Sequence, residues 1–472
     1  MHVHFPALLC ALLVSLIADG LDGQGPALRG DLKPAPFDDP RGVPLAAEVC
    51  VHRAPEGPRA TDASRKLHDL LKDCCGQPDK ERLPFKAAPE KPATLLVPTK
   101  PHVVTLDAAA GTPRVLLYFK SGQWYACSAS SLKGTAGKET LQFLDADLDG
   151  SFFGSLDFVR HNGLAFRPVD ADRLLLMNDY IGRYEIDESQ RPPRFQIKEV
   201  PFPAWASREQ RFGIGVIADC RQMAGLPPCL LDEARSRVCL AHANYLNLNK
   251  YTFDTPVTKT HAEDPKLPGY TEEGAAAARS IVMTFSGDMM EAVTAQIFAM
   301  LHRGAFLGSA TEGLGIAQKV GSLVGIPGYT VFWGSRLELA ADALPFCFPT
   351  SGARGCATFC AREAPAVEDD PSFYNTQRGL AVSVNYGKID ASNVRIELFA
   401  EEKKGKLRAV AGRLFSHERP ISKTFAPGND RTAFFVADAM LKTETWHMAV
   451  FRADVAESKQ PLELVWWFET QK

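Results

Sequence analysis

The sequence has no block of like charge. Its 472 residues include 53 basic and 56 acidic side chains, a formal net charge of -3, and the two signs are mixed along the chain. A protein that binds a polyanion concentrates Lys and Arg on one surface or segment. The composition therefore argues against nucleic acid, and against an anionic membrane surface, as a partner.

Long apolar runs are also scarce. Residues 5–18 are apolar except for Ser15, which is typical of the central region of a secretory signal peptide and too short to span a bilayer. No other run is long and apolar enough for a membrane span. We therefore predict a signal peptide at residues 1–20, no further transmembrane segment, and an extracellular, periplasmic or cell-surface location.

Several motifs of nucleotide and nucleophile chemistry are missing. The chain has no Gly-x-Ser-x-Gly elbow, no Walker spacing of glycines and Lys, and no cysteine placed with a histidine in a catalytic signature. These absences exclude the common serine hydrolase and phosphate-loop classes.

Cysteine is present, but no Cys-x-x-Cys pair occurs, so a structural zinc site around Cys356 and Cys360 is a weak alternative. Loss of Cys10 with the signal peptide leaves an even number, ten, and in an exported chain this predicts disulfides of unknown pairing. Cys220 and Cys239 fall on apolar helix faces, where the alternative is a small buried side chain.

The length suggests about three domains, and 45% hydrophobic residues is enough to form their cores. Short alternating runs predict strands over residues 94–200 and again from 379 onward. The predicted divisions are a signal peptide at 1–20, a flexible leader at 21–44, a β-rich domain at 45–203, a central domain at 204–346, a cysteine-bearing tail and linker at 347–372, and an immunoglobulin-like β-sandwich at 373–472.

One motif of the β-rich domain has metal chemistry. Asp145, Asp147 and Asp149 alternate and are followed by Gly150, the arrangement with which a loop wraps a hard cation. Asp157 follows one residue after the usual closing position and is a possible fourth ligand. The motif predicts a calcium loop, and the alternative is a solvated aspartate-rich turn.

The central domain begins with helix signals. Ser207 and Gln210 have capping-box spacing, and further helices are expected from Asp232 and near Asp288, the last ending around His302. His242 shares the apolar face of the second helix, so a buried structural role is expected. His261 lies in the polar loop that follows.

These segments resemble the bacterial branch of the CAP superfamily, named for cysteine-rich secretory, antigen and pathogenesis-related proteins. The resemblance rests on the runs DCRQMAGLPPCLLDEARSRVCLAHANYL, THAEDPKLPGYTEEG, EAVTAQIFAMLHRGAFL and EGLGIAQ. It implies a three-layer α-β-α sandwich around a cleft, in which His261 and His302 match the two cleft histidines of many members. The expected fold is thus α+β and multidomain, with this sandwich between the two β domains.

The departures from the family pattern bear on function. Residues 276–280 are AAARS where many members have Gly-Glu-Asn, and Gln296 stands where many have Trp. One acidic cleft position is therefore missing, Arg279 would repel a dication, and Glu263 or Asp264 is at most a possible third ligand. Zinc binding is expected to be weak or absent, although the nitrogens of His261 and His302 should lie on the order of 3 to 5 Å apart, since each ligand lies near 2 Å from a shared ion.

Two functions stay open at this point. The first is a secreted or cell-envelope modular protein whose CAP-like domain binds an unknown extracellular ligand or protein without catalysis. The alternative is a metal-assisted, peptidase-like hydrolase that uses His261 and His302. The missing carboxylate favours the first, because a hydrolase needs a general base near its metal-bound water.

Overall fold

The computed structural model describes residues 27–472, apart from 52–61, 107–113, 362–372, 422–430 and shorter gaps of one to five residues. The predicted signal peptide and the acidic part of the predicted linker lie outside the described residues. Among the helices that are described, none has the length and apolar character needed to cross a membrane.

The first part of the chain is built almost entirely of strands. They pair antiparallel into three larger sheets and one two-stranded sheet. The elements are β1 (Leu28–Asp31), β2 (Lys33–Pro34), β3 (Val49–Cys50), α1 (Asp62–Lys72), β4 (Leu83–Phe85), β5 (Thr94–Leu96), β6 (His102–Thr105), β7 (Arg114–Lys120), β8 (Gln123–Ser128), β9 (Ser131–Ala136), β10 (Glu139–Leu144), β11 (Phe158–His161), β12 (Arg167–Pro168), β13 (Leu174–Leu176), β14 (Ile181–Asp187) and β15 (Arg194–Val200). The strand orders are β1-β15-β14-β13, β12-β11-β10-β9-β2, β3-β8-β7-β6 and β4-β5.

The predicted flexible leader at 21–44 needs correction in its second half. Strand β1 pairs with β15 and β2 pairs with β9. Leu32 and Phe37 are buried in two of the cores of this region. The high proline and glycine content of the segment predicted a flexible chain, but burial of Leu32 and Phe37 fixes the segment in the fold.

The central part contains most of the helices. Its elements are α2 (Arg208–Met223), α3 (Glu233–Leu248), α4 (Val257–Thr260), α5 (Glu272–Ala277), β16 (Val282–Thr284), α6 (Met289–Ile297), β17 (Gly315–Leu323) and β18 (Ile326–Trp333). The three strands form an antiparallel sheet in the order β16-β18-β17, and α3 lies against β17 and β18. A 3-10 helix, His302–Phe306, follows α6.

The predicted helix starts are confirmed. Ser207 and Gln210 form a reciprocal capping box, in which each side chain accepts the other residue's backbone N–H. Asp232 and Asp288 cap α3 and α6 with their carboxylates. The predicted end of the third helix is too late, because α6 stops at Ile297 and His302 opens the 3-10 helix instead.

The last part of the chain forms two facing sheets. Its strands are β19 (Phe346–Phe348), β20 (Ala353–Cys356), β21 (Ala381–Asn385), β22 (Ala391–Lys403), β23 (Lys406–Ala409), β24 (Gly412–Phe415), β25 (Thr432–Ala437), β26 (Trp446–Val455) and β27 (Leu462–Thr470). The sheet orders are β19-β21-β25-β24 and β20-β27-β26-β22-β23. The predicted tail at 347–372 thus contributes a strand to each sheet and is not separate from the sandwich.

The expected α+β fold with a central three-layer α-β-α sandwich is wrong. The structure is predominantly β, with 42% strand against 19% helix, spread over many small sheets. The central sheet has three described strands, and the helices around it are divided between two cores. Helices α3 and α5 pack with the sheet in one hydrophobic cluster. Ile217 of α2 and Val293 of α6 instead lie in a cluster with Trp466 and Phe468 of β27. Helical periodicity predicted the helices correctly but carried no information about which strands share their core.

The prediction of disulfides is not borne out either. Among the nine cysteines whose side chains are described, no disulfide is found, and eight of the nine are buried. Cys220, Cys229, Cys347 and Cys356 belong to one hydrophobic cluster, whereas Cys74, Cys127 and Cys239 belong to three others. The alternative expected for Cys220 and Cys239, a small buried side chain, is what the fold contains.

Candidate functional site

The aspartate motif forms a tight loop directly after β10. One carboxylate oxygen from each of Asp145, Asp147 and Asp149 lies within 4.8 Å of the other two. The backbone turns through positive φ at Leu148 (58°) and Gly150 (84°), and glycine takes that conformation without strain. The local sequence therefore turns three side chains that alternate along the chain toward one another.

Asp145 is the buried member of this group, with 4% of its surface exposed. Its Oδ2 accepts the Gly150 N–H at 3.2 Å, whereas Oδ1 is buried and has no hydrogen-bond partner among the described residues. Burial is the main reason that its pKa rises to about 6, and the charges of Asp147 and Asp149 raise it further while backbone amides lower it. The loop thus holds a buried acceptor beside two more carboxylates.

Asp157, the possible fourth ligand, is not among the three converging carboxylates and is held by two backbone amides. Its Oδ1 accepts the Ala146 N–H at 3.0 Å and its Oδ2 accepts the Gly154 N–H at 2.8 Å. Burial raises its pKa to about 7, and the charges of Asp145 and Asp147 add to this effect. Asp157 therefore ties the two ends of the loop together from a position close to the cluster.

His261 follows α4 and is held by one backbone carbonyl. Its Nδ1 donates to the Ala278 oxygen at 3.1 Å, so Nε2 is the nitrogen that carries the lone pair. Burial lowers the pKa of His261, the hydrogen bond to Ala278 raises it, and the charges of His302 and His242 lower it again. The ring is therefore neutral at pH 7, with a nitrogen in the form that metal ligands require.

His302 is half-buried at the start of the 3-10 helix. Its charge lowers the pKa of His261, so the structure places the two predicted cleft histidines in one electrostatic neighbourhood. The separation of their nitrogens stays a prediction. Arg279, which was expected to repel a dication, is exposed.

The same neighbourhood contains a buried pair that the sequence did not reveal. Nδ1 of His242 lies 2.9 Å from Glu263 Oε1, and Nε2 lies 2.9 Å from the Thr260 carbonyl oxygen. The Thr260 carbonyl can only accept, so Nε2 donates to it, and Nδ1 shares a hydrogen bond with the Glu263 carboxyl group. Both side chains are fully buried. The expected structural role of His242 is confirmed, and its polar ring on an apolar helix face was the signal that a buried partner exists.

Glu263 makes two hydrogen bonds within the fold. Besides His242, it accepts the Thr271 N–H at 3.0 Å through Oε2, next to the start of α5. Glu263 is one of the two acidic residues considered as a third metal ligand, and both of its oxygens are therefore already used in hydrogen bonds that stabilise the fold. Asp264 is exposed, and its Oδ1 accepts the Lys266 N–H at 2.9 Å.

Comparison with known proteins identifies no relative, since no family model, no curated protein and no solved structure matches this chain. The fold and the sites together define a predominantly β protein with two distinct groups of candidate ligands. These are an aspartate loop in the first part of the chain and a histidine pair in the central part.

Proposed function

We propose that this chain is an exported, modular binding protein in which His261 and His302 bind a ligand without hydrolysing it. The observation that carries this proposal is the commitment of Glu263 to His242 and to the Thr271 amide. A hydrolytic zinc site needs three protein ligands and a base for its bound water. Both oxygens of the buried Glu263 carboxyl group are already hydrogen-bonded within the fold.

The chemistry of the two side chains suggests what they bind. Neutral imidazole nitrogens suit Zn²⁺ and similar borderline divalent ions. Two imidazoles alone hold such an ion weakly, because structural and catalytic zinc sites use four and three protein ligands respectively. We therefore propose weak Zn²⁺ binding, with the open coordination positions available to an extracellular ligand or partner protein.

The sequence resemblance to CAP proteins argues against catalysis at the two histidines. Many members have a glutamate where this chain has the alanine-rich run at 276–280. In this run the Ala278 carbonyl contacts His261. A carbonyl orients an imidazole, but it cannot take a proton from water as a carboxylate does.

Calorimetric zinc titration tests the proposal. His261→Ala and His302→Ala should each weaken Zn²⁺ binding by at least about tenfold, or 1.4 kcal/mol. His68→Ala, on the helix α1, is the matched control and should leave the affinity unchanged. Equal affinity in wild type and both cleft variants would show that the two histidines are not the site.

A peptide-hydrolysis assay in the presence of zinc separates the two functions. We expect no turnover above the rate of a His261→Ala, His302→Ala double variant. Zinc-dependent cleavage that the double variant loses would overturn the binding assignment in favour of the hydrolase.

A further inference from the structure

We propose that Asp145, Asp147 and Asp149 form a calcium site in the N-terminal β region, independent of the histidine pair. Two separate observations point to a ligand there. One is the convergence of three carboxylates within 4.8 Å. The other is Oδ1 of Asp145, which is buried and has no hydrogen-bond partner among the residues that the structure describes.

The convergence of three carboxylates without a cation destabilises the folded protein. Three carboxylates brought this close repel one another, and the repulsion grows as the surroundings exclude water. Oxygens at alternate positions of a loop, followed by a glycine that allows a sharp turn, are the arrangement by which proteins surround Ca²⁺. A dication bound among Asp145, Asp147 and Asp149 converts this repulsion into attraction.

The buried Oδ1 of Asp145 distinguishes this loop from an exposed acidic turn, whose oxygens are hydrated. A buried carboxylate oxygen without a partner costs free energy, and buried polar groups in proteins are normally satisfied. The backbone amide of Gly150 satisfies Oδ2 of Asp145 but leaves Oδ1. A cation at the convergence point supplies the missing partner.

Asp157 serves as the positioning residue of this site. Its two hydrogen bonds join the backbone of Ala146 to that of Gly154, which closes the loop around the converging group. The loop also carries Phe153, whose ring lies 5.0 Å, centroid to centroid, from that of Phe143 in the core beneath. Calcium binding is thereby connected to the packing of the surrounding sheets.

The ligand set favours Ca²⁺ over Mg²⁺. Calcium accepts six to eight oxygens in flexible geometry, whereas magnesium demands a near-ideal octahedron and gives up its water reluctantly. An irregular loop of carboxylates and backbone meets the first requirement more easily than the second. Extracellular calcium modules bind with dissociation constants on the order of 0.1 to 1 mM, and we expect an affinity in this range.

Calorimetric and thermal titration of the full chain with CaCl₂ tests the site. Wild type should bind one Ca²⁺ and gain a few degrees in melting temperature at saturation. The Asp147→Asn, Asp149→Asn double variant should bind at least about tenfold more weakly, and circular dichroism would establish that it is folded. Asp187→Asn is the matched control, because Asp187 is an exposed aspartate of another turn whose Oδ1 likewise accepts an N–H two residues on.

Three outcomes would overturn the proposal. They are the absence of calcium binding in wild type, equal binding by the double variant, and an equal response to MgCl₂. The His261→Ala variant should bind calcium as wild type does, so failure of the histidine proposal and failure of the calcium proposal are distinguishable.

Discussion

Two buried histidines of this protein differ in how many of their ring nitrogens have hydrogen-bond partners. His242 and Glu263 are buried together in the central part, where the Thr260 carbonyl and the Thr271 N–H supply the partners that the two side chains do not supply to each other. His447 is also buried, but it has a partner on one nitrogen only: Nδ1 donates to the Thr445 carbonyl, and Nε2 has no partner among the described residues. The first arrangement gives each ring nitrogen and each carboxyl oxygen a hydrogen-bond partner, whereas the second keeps a neutral ring buried with one partner.

Removing one member of the His242 pair should be costly. His242→Leu leaves Oε1 of the fully buried Glu263 without its hydrogen-bond partner, and we expect a loss of about 1 to 3 kcal/mol in the free energy of unfolding. The His242→Leu, Glu263→Leu double variant should lose clearly less than the sum of the two single variants. Urea denaturation of all three measures this coupling, and strict additivity would show that the two side chains do not interact.

His447 should make the fold sensitive to acid. Burial lowers its pKa from 6.5 to about 4, and the hydrogen bond to Thr445 offsets this only in part. The unfolded chain then binds the proton more readily than the folded one, so stability is intact above pH 6.5 and falls as the pH drops toward 4. The loss is roughly 3 kcal/mol.

His447→Phe removes this titration and keeps a ring stacked on Phe468. Its stability should therefore fall less than that of wild type between pH 7 and pH 4, as measured by denaturation at both values. An unchanged pH dependence would contradict the assignment of a buried neutral imidazole.

Sequence reasoning located some of these residues and not others. The spacing of Asp145, Asp147 and Asp149 was sufficient to predict their convergence, because the three lie within five residues and the glycine directs the turn. The pairing of His242 with Glu263 was not predictable, since the two are 21 positions apart, with the end of α3 and all of α4 between them, and tertiary packing sets the path of that segment. The unpartnered oxygen of Asp145 is likewise visible only in three dimensions.

For the secondary-structure elements, the capping signals that lie within one helical turn of sequence predicted the helix starts correctly. The caps of α2, α3 and α6 fall at Ser207, Asp232 and Asp288, as predicted. The strands of the supposed leader were missed because their partners are remote: Leu28 pairs with Ile197. A two- to four-residue strand has too little periodicity to be recognised without its neighbour.

The capping box at α2 gives a prediction for this scale. Ser207→Ala removes the acceptor for the Gln210 N–H and should destabilise the protein by about 1 kcal/mol. Ser280→Ala, at another exposed serine, is the control and should change stability by less than about 0.5 kcal/mol. Chemical denaturation compares them, and equal effects of the two substitutions would refute a stabilising role for the cap.

At the scale of the whole molecule, the two ends of the described chain are joined. The Arg41 guanidinium lies 5.2 Å from the ring centroids of both Trp446 and Trp467. It also donates to both carboxylate oxygens of Glu401, at 2.7 and 2.9 Å. The N-terminal segment therefore docks on the C-terminal sandwich through a cation held between two aromatic rings and an acid.

Loss of this contact should be measurable. Arg41→Ala removes a half-buried ion pair and two cation–π contacts, and we expect a loss of about 1 to 3 kcal/mol. Arg194→Ala breaks an exposed pair with Asp31, and its effect should stay below about 1 kcal/mol. Unfolding followed by tryptophan fluorescence reports on both, and indistinguishable variants would show that the docking contact contributes nothing.

The architecture as a whole was the least predictable feature. Helix patterns in residues 204–346 suggested a closed domain, but α2 and α6 complete a core that continues into β27. Long-range sharing of a core leaves no trace in local periodicity, because an apolar helix face has the same pattern whatever covers it.

The most direct test of the proposed function is a crystal structure of the protein soaked in zinc, with anomalous scattering recorded at the zinc absorption edge. We expect one zinc peak, bonded to Nε2 of His261 and to a ring nitrogen of His302 at metal–nitrogen distances of about 2.0 to 2.1 Å. Glu263 should stay paired with His242. A zinc ion held by Glu263 as a third ligand with an ordered water, or the absence of zinc from both histidines, would contradict it.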